Sequence, residues 1–149
     1  MSHATPSMRD FAKRLIAQET RGKKSSKKSS LVGFHTCNKL RPHLANIMGN
    51  IGFRTLLARS LVLASTEVSW LRVVRVNADW SLQGLEELEA KLDADELFEG
   101  GVVFLARLLG LMVLLIGEDL TIRLLSDVWP EVSLNDLNFG SGGKYEEAK

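Results

Sequence analysis

His35, Cys37 and His43 are the residues of this chain whose types most readily do chemistry. Imidazole and thiolate are zinc ligands, and three of them can hold a catalytic zinc while leaving a fourth position for water. Their spacing, H-x-C-x5-H, matches no zinc-finger, zinc-ribbon or zincin pattern. On a helix over 35–39 the first two side chains point about 200° apart, and Pro42 stands just before the third. The expectation is a small buried Cys37 and two partly exposed histidines beside a basic segment, with no metal. A single cysteine excludes an internal disulfide and fits a reducing compartment.

Carboxylates come in groups: Glu86-Glu87, then Asp93, Asp95 and Glu96, then Glu118-Asp119. Paired carboxylates can divide acid and base roles, but no His, Lys or Ser stands in a recognisable relation to any of these. Solvated helix faces and favourable positions at helix N-termini account for them. Glu118-Asp119 abuts an apolar run, where desolvation would raise a carboxylate pKa. The glycines form neither a GxGxxG nor a Walker pattern. The sequence therefore assigns no catalytic, cofactor-binding or metal-binding residue and points to no small-molecule ligand. A non-enzyme is expected.

The net charge of +1 conceals an asymmetry. Residues 1–43 hold ten Lys/Arg and two Asp/Glu, whereas residues 44–149 hold nine and sixteen. A basic arm on an acidic body follows, and Lys13, Arg14, Arg21, Lys23, Lys24, Lys27 and Lys28 are its candidate contacts to nucleic acid. No aromatic is interleaved with them for base stacking, and a solvated linker explains the same charges.

The elements that must position these residues follow from apolar spacing. Met8, Phe11, Ala12, Leu15 and Ile16 lay one stripe on a helix that ends near Glu19 or Thr20, with Ser7 and Asp10 resembling a capping box. Residues 21–30, RGKKSSKKSS, offer no apolar side chain to offset the entropy of ordering and read as a flexible linker. A short helix is expected over about 31–40 and another from Pro42. In the latter Leu40, Leu44, Ile47, Met48 and Ile51 share a face before a turn at Gly49-Asn50 and Gly52. Phe53, Leu56, Leu57, Ser60, Leu61 and Ala64 form a further stripe. Residues 68–82 fit either a small hairpin or a helix through Trp70 followed by a loop. Leu82, Leu85, Leu88 and Leu92 mark a helix with an acidic face, and Asp93 with Glu96 caps the next. That one runs through the apolar segment to Gly117, with the adjacent Gly100-Gly101 requiring close packing, a hinge or a later helix start. A last helix carries Asp119, Arg123 and Asp127 on its solvated face and stops at Trp129-Pro130. The tail from 140 reads as disordered.

The apolar segment VVFLARLLGLMVLLI, Val102 to Ile116, has one charge, Arg107. A span needs about 20 apolar residues, and an arginine near its centre costs on the order of 2.5–3.5 kcal/mol. Flanking glycines and acids limit extension, so a buried core helix is expected in preference to a membrane span. Apolar all round between Leu108 and Ile116, it must be covered on every side. Leu105, Arg107, Leu108, Leu109, Met112 and Leu115 are the candidate core or interface residues. A carboxylate for Arg107 is expected on whatever packs there.

The stretches RPHLANIMGNIGFRTLLARSLVLAS, ADWSLQGLEELEA and LIGEDLTIRLLSDVWPEV resemble a group of small, mostly helical bacterial proteins of undescribed function, over residues 34–139. The resemblance implies a cytosolic protein and supplies no catalytic residue, cofactor or substrate. Where members of that group have Gly after the Ala-Asp turn, this chain has Trp80, which places a tight Asp-Gly turn in doubt.

Together these expectations describe a mainly α, single-domain bundle of five to six helices around a central helix at about 101–117. An N-terminal amphipathic helix (1–20) is tethered to it by the linker (21–30), with the helical domain over 31–139 and the tail over 140–149. The leading functional expectation is a cytoplasmic, non-enzymatic protein-interaction or regulatory module that self-associates or joins a larger assembly. A nucleic-acid accessory protein acting through the basic arm is the alternative, and a membrane-associated small protein comes third.

Overall fold

Helix α5 (Ala94–Ile116) is the axis about which the other helices pack. Asp93 starts it with a complete capping box: its carboxylate accepts from the Glu96 backbone N–H at 2.8 Å, and the Glu96 carboxylate accepts from the Asp93 N–H at 3.2 Å. Two N-terminal donors are thus satisfied together. The computed structural model describes residues 6–20, 32–77, 79, 82–130 and 132, and its architecture is mainly α. Helix α1 (Pro6–Thr20) is followed by α2 (Val32–Thr36), which tightens into a 3-10 turn (Cys37–Leu40), and then by α3 (Arg41–Ser65). A second 3-10 turn (Ser69–Val73) leads into a hairpin of β1 (Arg75–Val76) and β2 (Leu82–Gln83), with Arg75 opposite Gln83 and Val76 opposite Leu82. Helix α4 (Leu85–Lys91), α5 and α6 (Glu118–Val128) complete the order.

Helices α1, α2, α3 and α6 cover α5. From Gly100 to Leu109 every residue of α5 is buried, as is Met112. The apolar stripe predicted for α1 is buried at every position, and it packs against α5 and α2 of its own chain. Helix α1 thus shares one core cluster with α2, α3, α5 and α6. Pro6 opens it, a residue whose missing N–H costs nothing at a first helical position, and Ser7 is the second residue of the helix. The predicted linker, Ala78 and Trp80 of the predicted turn, and the C-terminal tail lie outside the described residues.

Gly100 and Gly101 sit inside α5, and close packing is their reason. A Cβ on Gly100 would lie 2.4 Å from the Trp70 ring, and one on Gly33 would lie 2.9 Å from the Gly101 backbone. Two glycines cost about 2 kcal/mol in helix propensity; here they let an indole and the α2 backbone rest directly on α5. Phe34 stacks on Phe104 beside this contact, with centroids 5.7 Å apart.

Helix α3 departs from expectation in one half. Its second stripe, Phe53 to Ala64, is buried as predicted. Its first is buried only in part: Leu40 and Leu44 are buried and Met48 is half-buried, whereas Ile47 is 44% exposed and Ile51 81%. Gly49 has φ 81° and ψ 165°, which breaks the helical register. Ile51, beyond the break, therefore leaves the face of Leu40 and Leu44. The Gly33–Ser65 stretch and α5 are each long and apolar enough to cross a membrane by length and composition alone, although most of α5 is already covered by its own chain.

Candidate functional site

Past the end of α3 lies the only carboxylate between Thr20 and Ala78, Glu67. An anion there is disfavoured by the helix dipole, and two arginines offset this. Arg107 of α5 donates from Nε to Glu67 Oε2 at 2.9 Å, and its Nη2 lies 2.7 Å from the same oxygen, outside hydrogen-bonding geometry. Arg9 of α1 donates to Oε1. The side chains of Glu67 and Arg107 are 7% and 9% exposed, whereas that of Arg9 is 33% exposed. Arg9 Nε has no hydrogen-bond partner among the described residues. The expected carboxylate for Arg107 is thus present, and it comes from the same chain. The triad joins α1, the end of α3 and α5.

This pairing leaves the neighbouring surface unneutralised. The chain turns at Thr66, whose hydroxyl donates to Leu63 O at 2.7 Å, passes through the Ser69–Val73 turn, and returns as β1 beside α3. Leu71 and Val74 are buried and anchor this return. Between it and the outer face of α3 lies a half-open groove of about 460 Å³. Its α3 wall presents Ile51, Thr55, Ala58, Val62 and Ser65, and Arg54, Arg72 and Arg75 also line it. No carboxylate lines the groove, and these three arginines make no ion pair among the described residues. Residues 44–78 carry four arginines and one carboxylate, so the acidic body begins only after Ala78 and the basic region extends well past residue 43.

A second hollow of about 730 Å³ lies between α2 and the β2–α4 segment, lined by His35, Asn38, Asn77, Gln83, Glu86 and Glu87 among others. Its charged groups are Glu86 and Glu87, beside the amides of Asn38, Asn77 and Gln83.

The soft-ligand cluster does not assemble into a site. His35 is exposed and His43 half-buried. Cys37 is buried, its thiol donates to Phe34 O at 3.2 Å, and burial pushes its pKa up to about 12. No group of three or more metal-capable residues occurs among the described residues. Glu118 and Asp119 occupy the first turn of α6, where the dipole favours them.

Of the candidate core or interface residues, Leu105, Arg107, Leu108, Leu109 and Met112 are buried, in keeping with the core alternative, whereas Leu115 is 60% exposed beside Leu114 at 76%. Of the candidate nucleic-acid contacts, Lys13 and Arg14 lie on the exposed side of α1. Arg21, Lys23, Lys24, Lys27 and Lys28 lie outside the described residues. The groove arginines were missed in sequence because attention to the buried stripe of α3 hides the second stripe opposite it. The 4,3,4,3 spacing of 51, 55, 58, 62 and 65 was the available signal. Comparison with protein-family models, curated proteins and solved structures returns no match for this chain.

Proposed function

We propose that this chain is a non-enzymatic helical interaction module that docks a partner protein across the groove between α3 and the 71–76 segment. The observation that carries the reading is an exposed apolar helix face beside three arginines with no ion partner among the described residues. Exposed apolar surface concentrated in a groove with charged flanks is the pattern of an association site. Most other apolar side chains of the bundle belong to its own core, although Leu114 and Leu115 at the end of α5 are exposed as well.

A photocrosslinking amino acid at Val62, expressed in cells of the native host, tests this, with the same group at exposed Glu87 on α4 as control. The expected result is a discrete protein adduct from Val62 that is absent from Glu87 and lost when Arg72→Glu and Arg75→Glu are introduced. An adduct of twice the chain mass would make the partner a second copy. No adduct above the Glu87 level would overturn the proposal, and a nucleic-acid adduct in its place would favour the accessory-protein alternative.

A further inference from the structure

We infer that the occupant of this groove is an amphipathic helix with acidic flanks, an inference that rests on the docking proposal above and adds the chemistry of the partner. Three observations carry it. The first is shape. Ile51, Thr55, Ala58, Val62 and Ser65 recur at alternating intervals of four and three, the spacing that keeps one face of a helix turned toward a helical partner. From first to last they span about 21 Å at 1.5 Å per residue. The seat is therefore long and narrow, and a second helix laid along it would meet it for about four turns.

The second observation is that the seat is less polar than its composition suggests. Thr55 Oγ1 donates to Ile51 O at 2.9 Å, and Ser65 Oγ donates to Val62 O at 2.7 Å. Both hydroxyl protons are spent on the helix's own carbonyls, so neither needs a partner from outside. What they leave for contact is a methyl group and a small, close-packing residue, flanking Ala58. Small residues along such a line let a second helix approach closely, while Ile51 and Val62, 81% and 64% exposed, provide the apolar contacts.

The third is charge. Arg54 flanks the seat on α3, and Arg72 and Arg75 belong to the opposite wall. Glu67, the acid just past the end of α3, is committed to Arg9 and Arg107 inside the bundle, and no carboxylate lines the groove. A helix with Glu or Asp on both sides of its apolar stripe would neutralise both walls, whereas a basic one would be repelled from both. Charge complementarity of this kind fixes both partner choice and register.

The test uses the full chain and fluorescently labelled helical peptides of about 18 residues, a length that covers the seat. One peptide carries a leucine stripe at the same four-three spacing with Glu flanks, one has Lys flanks, and one has Glu flanks and two central prolines that abolish the helix. Anisotropy titrations at low and physiological salt give the affinities. The wild type is expected to bind the Glu helix at least about tenfold more tightly than either other peptide, with affinity falling as salt rises. Arg54→Glu/Arg72→Glu/Arg75→Glu is expected to reverse the preference to the Lys helix. All three residues lie on the exposed wall, and circular dichroism checks that the fold is kept. Val62→Arg, which fills the apolar seat without removing a cation, is expected to weaken the Glu helix by a similar factor.

Equal binding of the Glu and Lys helices, or of the helical and proline-broken peptides, overturns the inference. So does competition by phosphatidylglycerol vesicles or a single-stranded oligonucleotide as effective as the unlabelled Glu helix. A Val62 crosslink to a partner in cells without peptide discrimination would leave the docking proposal standing and refute the acidic helix alone.

Discussion

Replacing Glu67 with Gln would leave two arginines inside the bundle with no anion between them. The shape of the side chain is kept while its charge and one of its two acceptor oxygens are lost, so the effect reads the polar pairing and not packing. Removing one member of a buried ion pair costs about 3–5 kcal/mol, whereas an exposed pair is worth about 0–1 kcal/mol. The Arg107 side chain is 9% exposed and belongs to the first case; Arg9, 33% exposed, lies between the two. The expected loss for Glu67→Gln is therefore about 3–4 kcal/mol, mostly through Arg107. For a domain of this size that lowers Tm by roughly 10 °C. Urea unfolding followed by tryptophan fluorescence measures it, with an unchanged m value expected. Arg107→Met is expected to cost less, because Glu67 keeps Arg9 and Met refills the volume. The double variant should lose less than the sum of the singles, by at least about 1 kcal/mol, since the two residues form one network. A Glu67→Gln loss below about 1 kcal/mol, or strict additivity in the double variant, would refute the claim that this triad is a buried electrostatic unit.

Gly100→Ala gains about 1 kcal/mol of helix propensity but sets its Cβ 2.4 Å from the Trp70 ring, so a net loss of about 1–3 kcal/mol is expected from overpacking. Trp70→Leu in the same chain should remove part of that penalty in a double-mutant cycle by chemical denaturation. Gly110→Ala is expected to stabilise by about 0.5–1 kcal/mol, because the added Cβ finds only ordinary contact, at 3.6 Å from Met8 Sδ; a thermal melt reads it. Cys37, with its thiol pKa raised by burial from 9.0 to about 12, should resist iodoacetamide at pH 8 in the native protein and react at once in urea. The sign follows from linkage. Between those two pKa values the folded state holds a proton that the unfolded state releases, so this contribution to stability is intact below about pH 9 and is lost toward about pH 12. Unfolding free energies of wild type and Cys37→Ala across that range should converge as pH rises.

Much of the helical framework was legible because its signals are local. The Met8–Ile16 stripe, the Phe53–Ala64 stripe and the Asp93/Glu96 capping box each reside within a few turns, and each occurs where the pattern places it. The ambiguity over residues 68–82 resolved into both readings in succession, a 3-10 turn at Ser69–Val73 and then a two-residue strand pair. Ile51 left the face of Leu40 and Leu44 because it lies beyond the turn that the sequence places at Gly49-Asn50. One positive φ at Gly49 ends the helical continuity there, and glycine tolerates it at little cost.

By itself, the sequence determined that α5 must be buried, that Arg107 inside it needs a carboxylate, and that α1 has a face to hide. These are consequences of composition and period, which any fold of this chain has to satisfy. Tertiary structure decided which groups meet those demands. Glu67 stands 58 positions from Arg9 and 40 from Arg107, separations over which no local pattern operates. Gly100 and Gly101 are explained only by Trp70 and Gly33 lying against them. The arginine groove arises because Glu67 turns inward while the chain folds back along α3, leaving Arg54, Arg72 and Arg75 together on the outside. Charges distant in sequence become a surface only when packing decides which of them face each other and which face water.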